Sequence, residues 1–388
     1  MSLLGTPLLV FLGVLAVALP VLTYLLWGRV PGAAPLRVAA RAALIVSCQL
    51  SAVLLVAAAV NDYGYFYTSW AELAGEAPPG QVVAATPYLG AAGHGEGVST
   101  TGAFPAFSRL LPPVTVLADP HWSTPAQWSS RGRLESVSIH GARSGLRGHA
   151  YVYLPPQYFR PRVSHAFPAV EVFTGYPSSD RALVWRMNYP GQLLAQLQRH
   201  RAQPMVLVMM VPSVVAPRDT ECTDVPHGPQ VQTYFAQDVT TAIDVTYHVR
   251  PLSWGAIGDS TGGFCATKLV MRHSDVFRSA VSLSGYYHTI MDSTTGSLWG
   301  GSRVLQMLDD PTWRITHLPA PPVSLLMTIS SAEHGSLGIY DTRRFLGHVR
   351  PPMQVSTMVL ARGGHNFATW SGELPASMQF LSHYLYAG

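Results

Sequence analysis

A single lysine, Lys268, stands among 388 residues, and Asp, Glu, Lys and Arg together make up only 12% of the chain. The net charge of +4 is therefore carried almost wholly by arginine. No basic stripe with interleaved aromatics occurs, which argues against a nucleic-acid partner. No HExxH, CxxC or carboxylate cluster at metal-ligand spacing is present, and no GxGxxG follows a strand-like run, so neither a metal nor a nucleotide cofactor is implied. Cysteine is scarce as well, with three in all. Cys48 lies in an apolar run, where an inert buried thiol is the default. Cys222 falls in a loop and Cys265 in a helix-like run; an oxidising compartment favours a disulfide between them, two buried thiols being the alternative.

What the chain has in abundance is apolar surface: 48% of its residues are hydrophobic. Two runs account for much of it. Leu8–Trp27 and Ala39–Val60 are nearly uncharged and each long enough to cross roughly 30 Å of hydrocarbon as a helix. A signal peptide is the alternative for the first, but no basic segment precedes it and no small-residue cleavage site follows. Arg29, Arg37 and Arg41 cluster between the runs and at the start of the second without an acidic residue, whereas Asp62, Glu72 and Glu76 follow the second before any further arginine. Positive residues stay inside, so both termini and the large remaining region are expected outside the cell. The organisation expected is a two-helix anchor (1–60), an aromatic interfacial segment and linker (61–132) and a catalytic domain (133–388). Within the middle part, Tyr63, Tyr65, Phe66, Tyr67 and Trp70 fit an interfacial belt, and Ala77–Trp128, rich in Gly, Pro, Ala and Thr, reads as linker or loop.

From Arg133 the pattern becomes regular. Strand-like runs fall at Leu134–Ile139, His149–Leu154, Ala169–Phe173, Met205–Val211, Trp254–Ile257, Ser279–Leu283, Val323–Ile329 and Gln354–Leu360, with helical runs, such as Asp180–His200, between most of them. This alternation predicts an α/β fold: a mostly parallel sheet covered on both faces, opened by an antiparallel hairpin. Ligands of such sheets bind beyond the carboxyl ends of the strands. At that edge sits Gly258-Asp259-Ser260-Thr261-Gly262, between a strand-like and a helix-like run, which is the setting of a nucleophile elbow. A serine hydroxyl needs a base and a group that orients the base. His365 follows the last strand directly, with Gly363 and Gly364 allowing its loop to turn back over the elbow, and it alone of fifteen histidines meets both order and position. Glu333, a short turn beyond Val323–Ile329, is the favoured acid; Asp341, two helical turns further on, is the alternative. The Thr261 N–H and the Tyr176 N–H, the latter in the loop Thr174-Gly175-Tyr176-Pro177, are the expected oxyanion donors.

Over about residues 148–387 the chain resembles the putative-esterase branch of the α/β-hydrolases, which includes esterase D and the antigen 85 mycolyltransferases. The likeness rests on Val152-Tyr153-Leu154-Pro155-Pro156, Gly175-Tyr176, Thr233-Tyr234-Phe235-Ala236-Gln237-Asp238, the elbow with Gly263, Val281-Ser282-Leu283-Ser284-Gly285-Tyr286, and Gly364-His365. It implies Ser260 as nucleophile, His365 as base and Thr261 and Tyr176 as oxyanion donors. The chain departs from the mycolyltransferases where they bind trehalose: Thr174 and Pro177 stand in place of an aspartate and an arginine, and Asn366-Phe367 in place of a serine and a tryptophan. Gly347 after Phe345-Leu346 departs at the mycolyltransferase acid, which returns that role to Glu333. The expected protein is a membrane-anchored, extracytoplasmic serine esterase that acts without a cofactor on a carboxylic ester, a lipid or cell-envelope ester among the options. The alternatives are an acyltransferase that moves the acyl group to a sugar or lipid hydroxyl, and a non-catalytic cell-surface binding domain.

Overall fold

Strands buried on both faces cannot afford a polar side, and the central runs of this chain have almost none. In the computed structural model, which describes residues 3–75, 82–85, 112–160 and 166–386, the strands are β1 (Val82–Ala85), β2 (Val114–Ala118), β3 (Arg133–His140), β4 (Arg147–Leu154), β5 (Phe167–Phe173), β6 (Val206–Met210), β7 (Val249–Asp259), β8 (Phe277–Leu283), β9 (Ser324–Ser330) and β10 (Gln354–Leu360). They form one sheet in the order β1-β10-β9-β8-β7-β5-β6-β4-β3-β2. The six strands from β10 to β6 run parallel, while β4, β3 and β2 continue antiparallel on one side and β1 closes the other edge antiparallel to β10. Every residue of β5, β6 and β9 is buried.

Because side chains alternate across a strand, each parallel strand supplies both cores. In β5, Phe167, Ala169 and Phe173 join one hydrophobic cluster, and Val170 and Val172 join the other. The helix Thr261–Arg272 covers the first face with Cys265, Ala266, Leu269 and Val270; the C-terminal helix Phe367–Tyr386 covers the second with Trp370, Leu374, Met378, Leu381 and Leu385. The mostly parallel α/β architecture expected from the alternating runs is thus the one found, with the antiparallel hairpin β3–β4 at its start.

Two expectations are corrected. The stretch 77–128 is not linker alone: β1 and β2 lie within it and form the two edges of the sheet. Each is short and embedded in Gly- and Pro-rich sequence, so pairing with β10 and β3 rather than local pattern makes them strands; the rest of that stretch at 77–81 and 86–111 lies outside the described residues. The helix expected over Asp180–His200 is two helices, Asp180–Trp185 and Tyr189–Gln198. Asn188 breaks it in a left-handed conformation (φ 55°) and caps the second piece by accepting from the Gly191 N–H at 3.2 Å, while Pro190 sits in the first turn of that piece, where no intrahelical N–H bond is lost.

The N-terminal runs form two helices, Thr6–Leu26 and Ala34–Gly64, each long and apolar enough to cross a membrane. At 1.5 Å per residue they measure about 32 and 46 Å. They make a hairpin clasped at both ends: the Arg41 guanidinium donates to Trp27 O at 2.9 and 3.1 Å, and the Gly5 N–H to Asp62 Oδ1 at 2.6 Å. Past Gly64 the chain turns at Tyr65 (φ 53°), and Asn61 grips the turn by donating to Tyr67 O at 2.9 Å and accepting from Tyr67 N–H at 2.8 Å. Tyr63, Phe66 and Trp70 are exposed.

Candidate active site

The strand β7 ends at Asp259, the next helix begins at Thr261, and Ser260 alone makes the turn, at φ 54° and ψ −120°. A non-glycine residue holds such a conformation only when its surroundings over-determine it. Here the Ser260 N–H donates to Leu283 O at the end of β8 (2.9 Å), its carbonyl accepts from Phe264 N–H (3.1 Å), and the crossing is so close that a Cβ on Gly262 would lie 2.6 Å from Phe173 O and 2.7 Å from Thr174 O. The elbow geometry read from the sequence is present. Thr261 is the first residue of its helix, so its N–H lacks an intrahelical acceptor.

At the carboxyl ends of β9 and β10 the structure brings together His365 and Glu333. His365 Nδ1 lies 2.7 Å from Glu333 Oε2, with the glutamate side chain 5% exposed and the histidine 23%. The other carboxylate oxygen, Oε1, accepts from the Ser284 hydroxyl at 2.8 Å and the Ser330 N–H at 3.3 Å. The pair is therefore oriented from both ends. Trp370 packs edge-on against the imidazole, 4.9 Å between ring centres. Asp341 is engaged elsewhere: it accepts from Tyr287 N–H at 2.6 Å and pairs with His288 Nδ1 at 2.8 Å, an interaction that raises the His288 pKa against its burial.

The loop after β5 flanks the serine. A Cβ on Gly175 would lie 3.0 Å from Ser260 Cβ, so a larger residue there would crowd the nucleophile. The Gly175 N–H donates to Asp259 Oδ2 at 2.8 Å, a support for which the sequence carries no signal. Burial pushes the Asp259 carboxyl up to about 7, with the Gly175 N–H and the nearby His365 acting in the opposite sense. Behind His365 a second buried carboxyl, Glu373, is pushed up to about 8 by burial, the Thr328 hydroxyl opposing and the Glu333 charge adding to the rise. Asp259 Oδ1 and Glu373 Oε1 have no hydrogen-bond partner among the described residues. On the far side of Ser260 the Thr261 hydroxyl donates to Asp219 Oδ2 at 3.4 Å. The segment that carries Asp219 and Glu221 is tied to the elbow helix by a disulfide between Cys222 and Cys265, whose Cα atoms are 5.6 Å apart. Lys268, fully buried, donates to Glu221 O at 2.6 Å and to the Thr223 hydroxyl at 2.8 Å. The lone lysine is thus a structural strut.

A family model described as "Putative esterase" matches residues 142–333. Among solved structures, the chain is similar to an S-formylglutathione hydrolase from Agrobacterium tumefaciens (TM-score 0.58, 13% identity, 70% of this chain and 99% of that one). It is similar also to a ferulic acid esterase (TM-score 0.53, 14% identity, 66% and 99%) and to FphF, a fluorophosphonate-binding serine hydrolase of Staphylococcus aureus (TM-score 0.52, 15% identity, 65% and 98%). At these identities the structures establish a shared fold. No match was found among curated protein sequences.

Proposed function

We propose, from the match of residues 142–333 to the family model described as "Putative esterase", that the chain is a serine esterase that cleaves carboxylic esters through an acyl-enzyme on Ser260. The observation that carries the site is the 2.7 Å pair of His365 and Glu333 at the same sheet edge as a serine held at φ 54°. Glu333 accepts the proton-bearing Nδ1 of His365, which leaves Nε2 as the base. Ser260 Oγ gives its proton to Nε2 as it attacks the ester carbonyl, and the N–H groups of Thr261 and Tyr176 receive the developing oxyanion, at about 3–4 kcal/mol for each donor. His365 then protonates the leaving alcohol, and a water activated by the same imidazole releases the acid.

The setting we propose is a membrane. The two apolar helices are the anchor, the arginines between them face the cytoplasm, and the catalytic domain lies on the opposite side, supported by the exposed aromatic residues just past Gly64. Full-length protein in detergent should react with a fluorophosphonate probe and turn over a short-chain acyl ester. Ser260→Ala should abolish both while keeping the thermal midpoint; turnover that survives this change removes the assignment. Protease protection in sealed vesicles of known orientation tests the placement, and digestion of the catalytic domain from the cytoplasmic face would reverse it.

A further inference from the structure

A histidine loop that begins with two glycines has little order of its own, and this one borrows its order from the neck of the molecule. The His365 N–H donates to Tyr65 O at 2.8 Å, one residue beyond the end of the second apolar helix. The Gly364 N–H donates to Glu72 Oε1 at 2.7 Å, and Asn366 Nδ2 donates to the same oxygen at 2.8 Å and to Phe66 O at 2.5 Å. The Thr369 hydroxyl reaches Glu72 Oε1 at 3.4 Å. Glu72 is 6% exposed and fixed from its own side, Oε2 accepting from the Thr68 N–H at 2.8 Å and the Thr68 hydroxyl at 2.9 Å. The fit is tight: a Cβ on Gly364 would fall 2.7 Å from Tyr65 O, and one on Gly335, in the loop that follows Glu333, 3.3 Å from the Tyr65 ring.

We infer that the neck, residues 65–72, is a working part of the active site, with Glu72 as the positioning residue of the His365 loop. A carboxylate is the one side chain of this length that accepts on both oxygens without donating. Five donors converge on it. Among the described residues nothing else accepts from the N–H groups of Gly364 and His365, so loss of the neck contacts would leave two backbone donors without their partners next to the base. The inference rests on the reading of His365 as the base.

The test uses the full-length protein in detergent with a short soluble acyl ester. Glu72→Gln keeps the volume but turns an NH2 toward donors whichever way the amide faces. Asn366→Ser keeps a hydroxyl to cap the following helix, a role Asn366 now fills by accepting from Ala368 N–H and Thr369 N–H at 3.0 Å, yet removes both donors to the neck. Each should lower kcat on the order of 10²-fold, the loss that a displacement of about 1 Å brings, with KM little changed. In a Glu333→Ala background, where His365 has already lost its orienting partner, Glu72→Gln should cost far less than it does alone. Wild-type kcat in either folded variant, or a loss of equal size in both backgrounds, overturns the inference; if Glu72→Gln does not fold, Asn366→Ser decides. Turnover that survives His365→Ala would instead overturn the assignment of the base.

Discussion

Replacing Glu333 by glutamine is nearly isosteric, yet the geometry makes it a severe change. Ser330 N–H can only donate, and it points at Glu333 Oε1, as does the Ser284 hydroxyl. These two donors hold the amide oxygen of the substituted side chain where Oε1 was, which turns its NH2 toward His365 Nδ1. A donor facing Nδ1 selects the tautomer protonated at Nε2, the nitrogen that has to take the serine proton. The wrong tautomer in a serine triad lowers kcat by about 10⁴-fold, equivalent to about 5 kcal/mol of activation free energy. Glu333→Ala removes the orienting bond but enforces neither tautomer, so it should be no worse than the glutamine. The assay is kcat per labelled active site on a soluble acyl ester, with thermal midpoints to confirm folding. A Glu333→Gln enzyme that keeps more than about a tenth of wild-type turnover would refute this reasoning, because a tautomeric block does not leak at that level.

The remaining predictions concern stability. The Cys222–Cys265 bond joins residues 43 apart, and a loop of that size predicts about 4 kcal/mol of stabilisation through the unfolded chain; Cys222→Ser with Cys265→Ser should lower the denaturation midpoint, and reducing agent should then have no further effect on the variant. Glu373 carries its proton up to about pH 8 in the folded protein against a reference value of 4.5. Between those values the unfolded chain has released that proton and the folded one has not, so stability from this group falls as pH rises, by at most about 1.4 kcal/mol per unit. Glu373→Gln should flatten the decline of thermal midpoint between pH 5 and 8, and an unchanged slope would count against a neutral Glu373.

The central parallel strands were legible because β5 and β6 are nearly continuous apolar runs, buried on both faces, that nothing but a doubly covered sheet can hide. The elbow and the Glu333 position were legible because both follow such a run directly. β1 and β2 were not, since four or five residues at a sheet edge carry too little pattern, and their identity comes from partners far along the chain. Asn188 shows a local signal under-read: a proline two residues on marks the break between two helices. Glu72 had no such signal. Its partners at 364, 366 and 369 lie nearly 300 residues away, and in sequence it is one acid in an aromatic stretch.

The shortness of the passage from Gly64 to the Tyr65–His365 bond has a mechanical meaning. A tethered enzyme samples the volume its leash permits; here the neck hands over to the histidine loop directly, through the Tyr65–His365 bond. With the hairpin seated in a bilayer, its reacting serine would hold a set height above the headgroups and could not swing out to meet distant material. Clipping the domain free beyond residue 72 would also strip the acceptors from beneath its histidine, so that release and inactivation become one event.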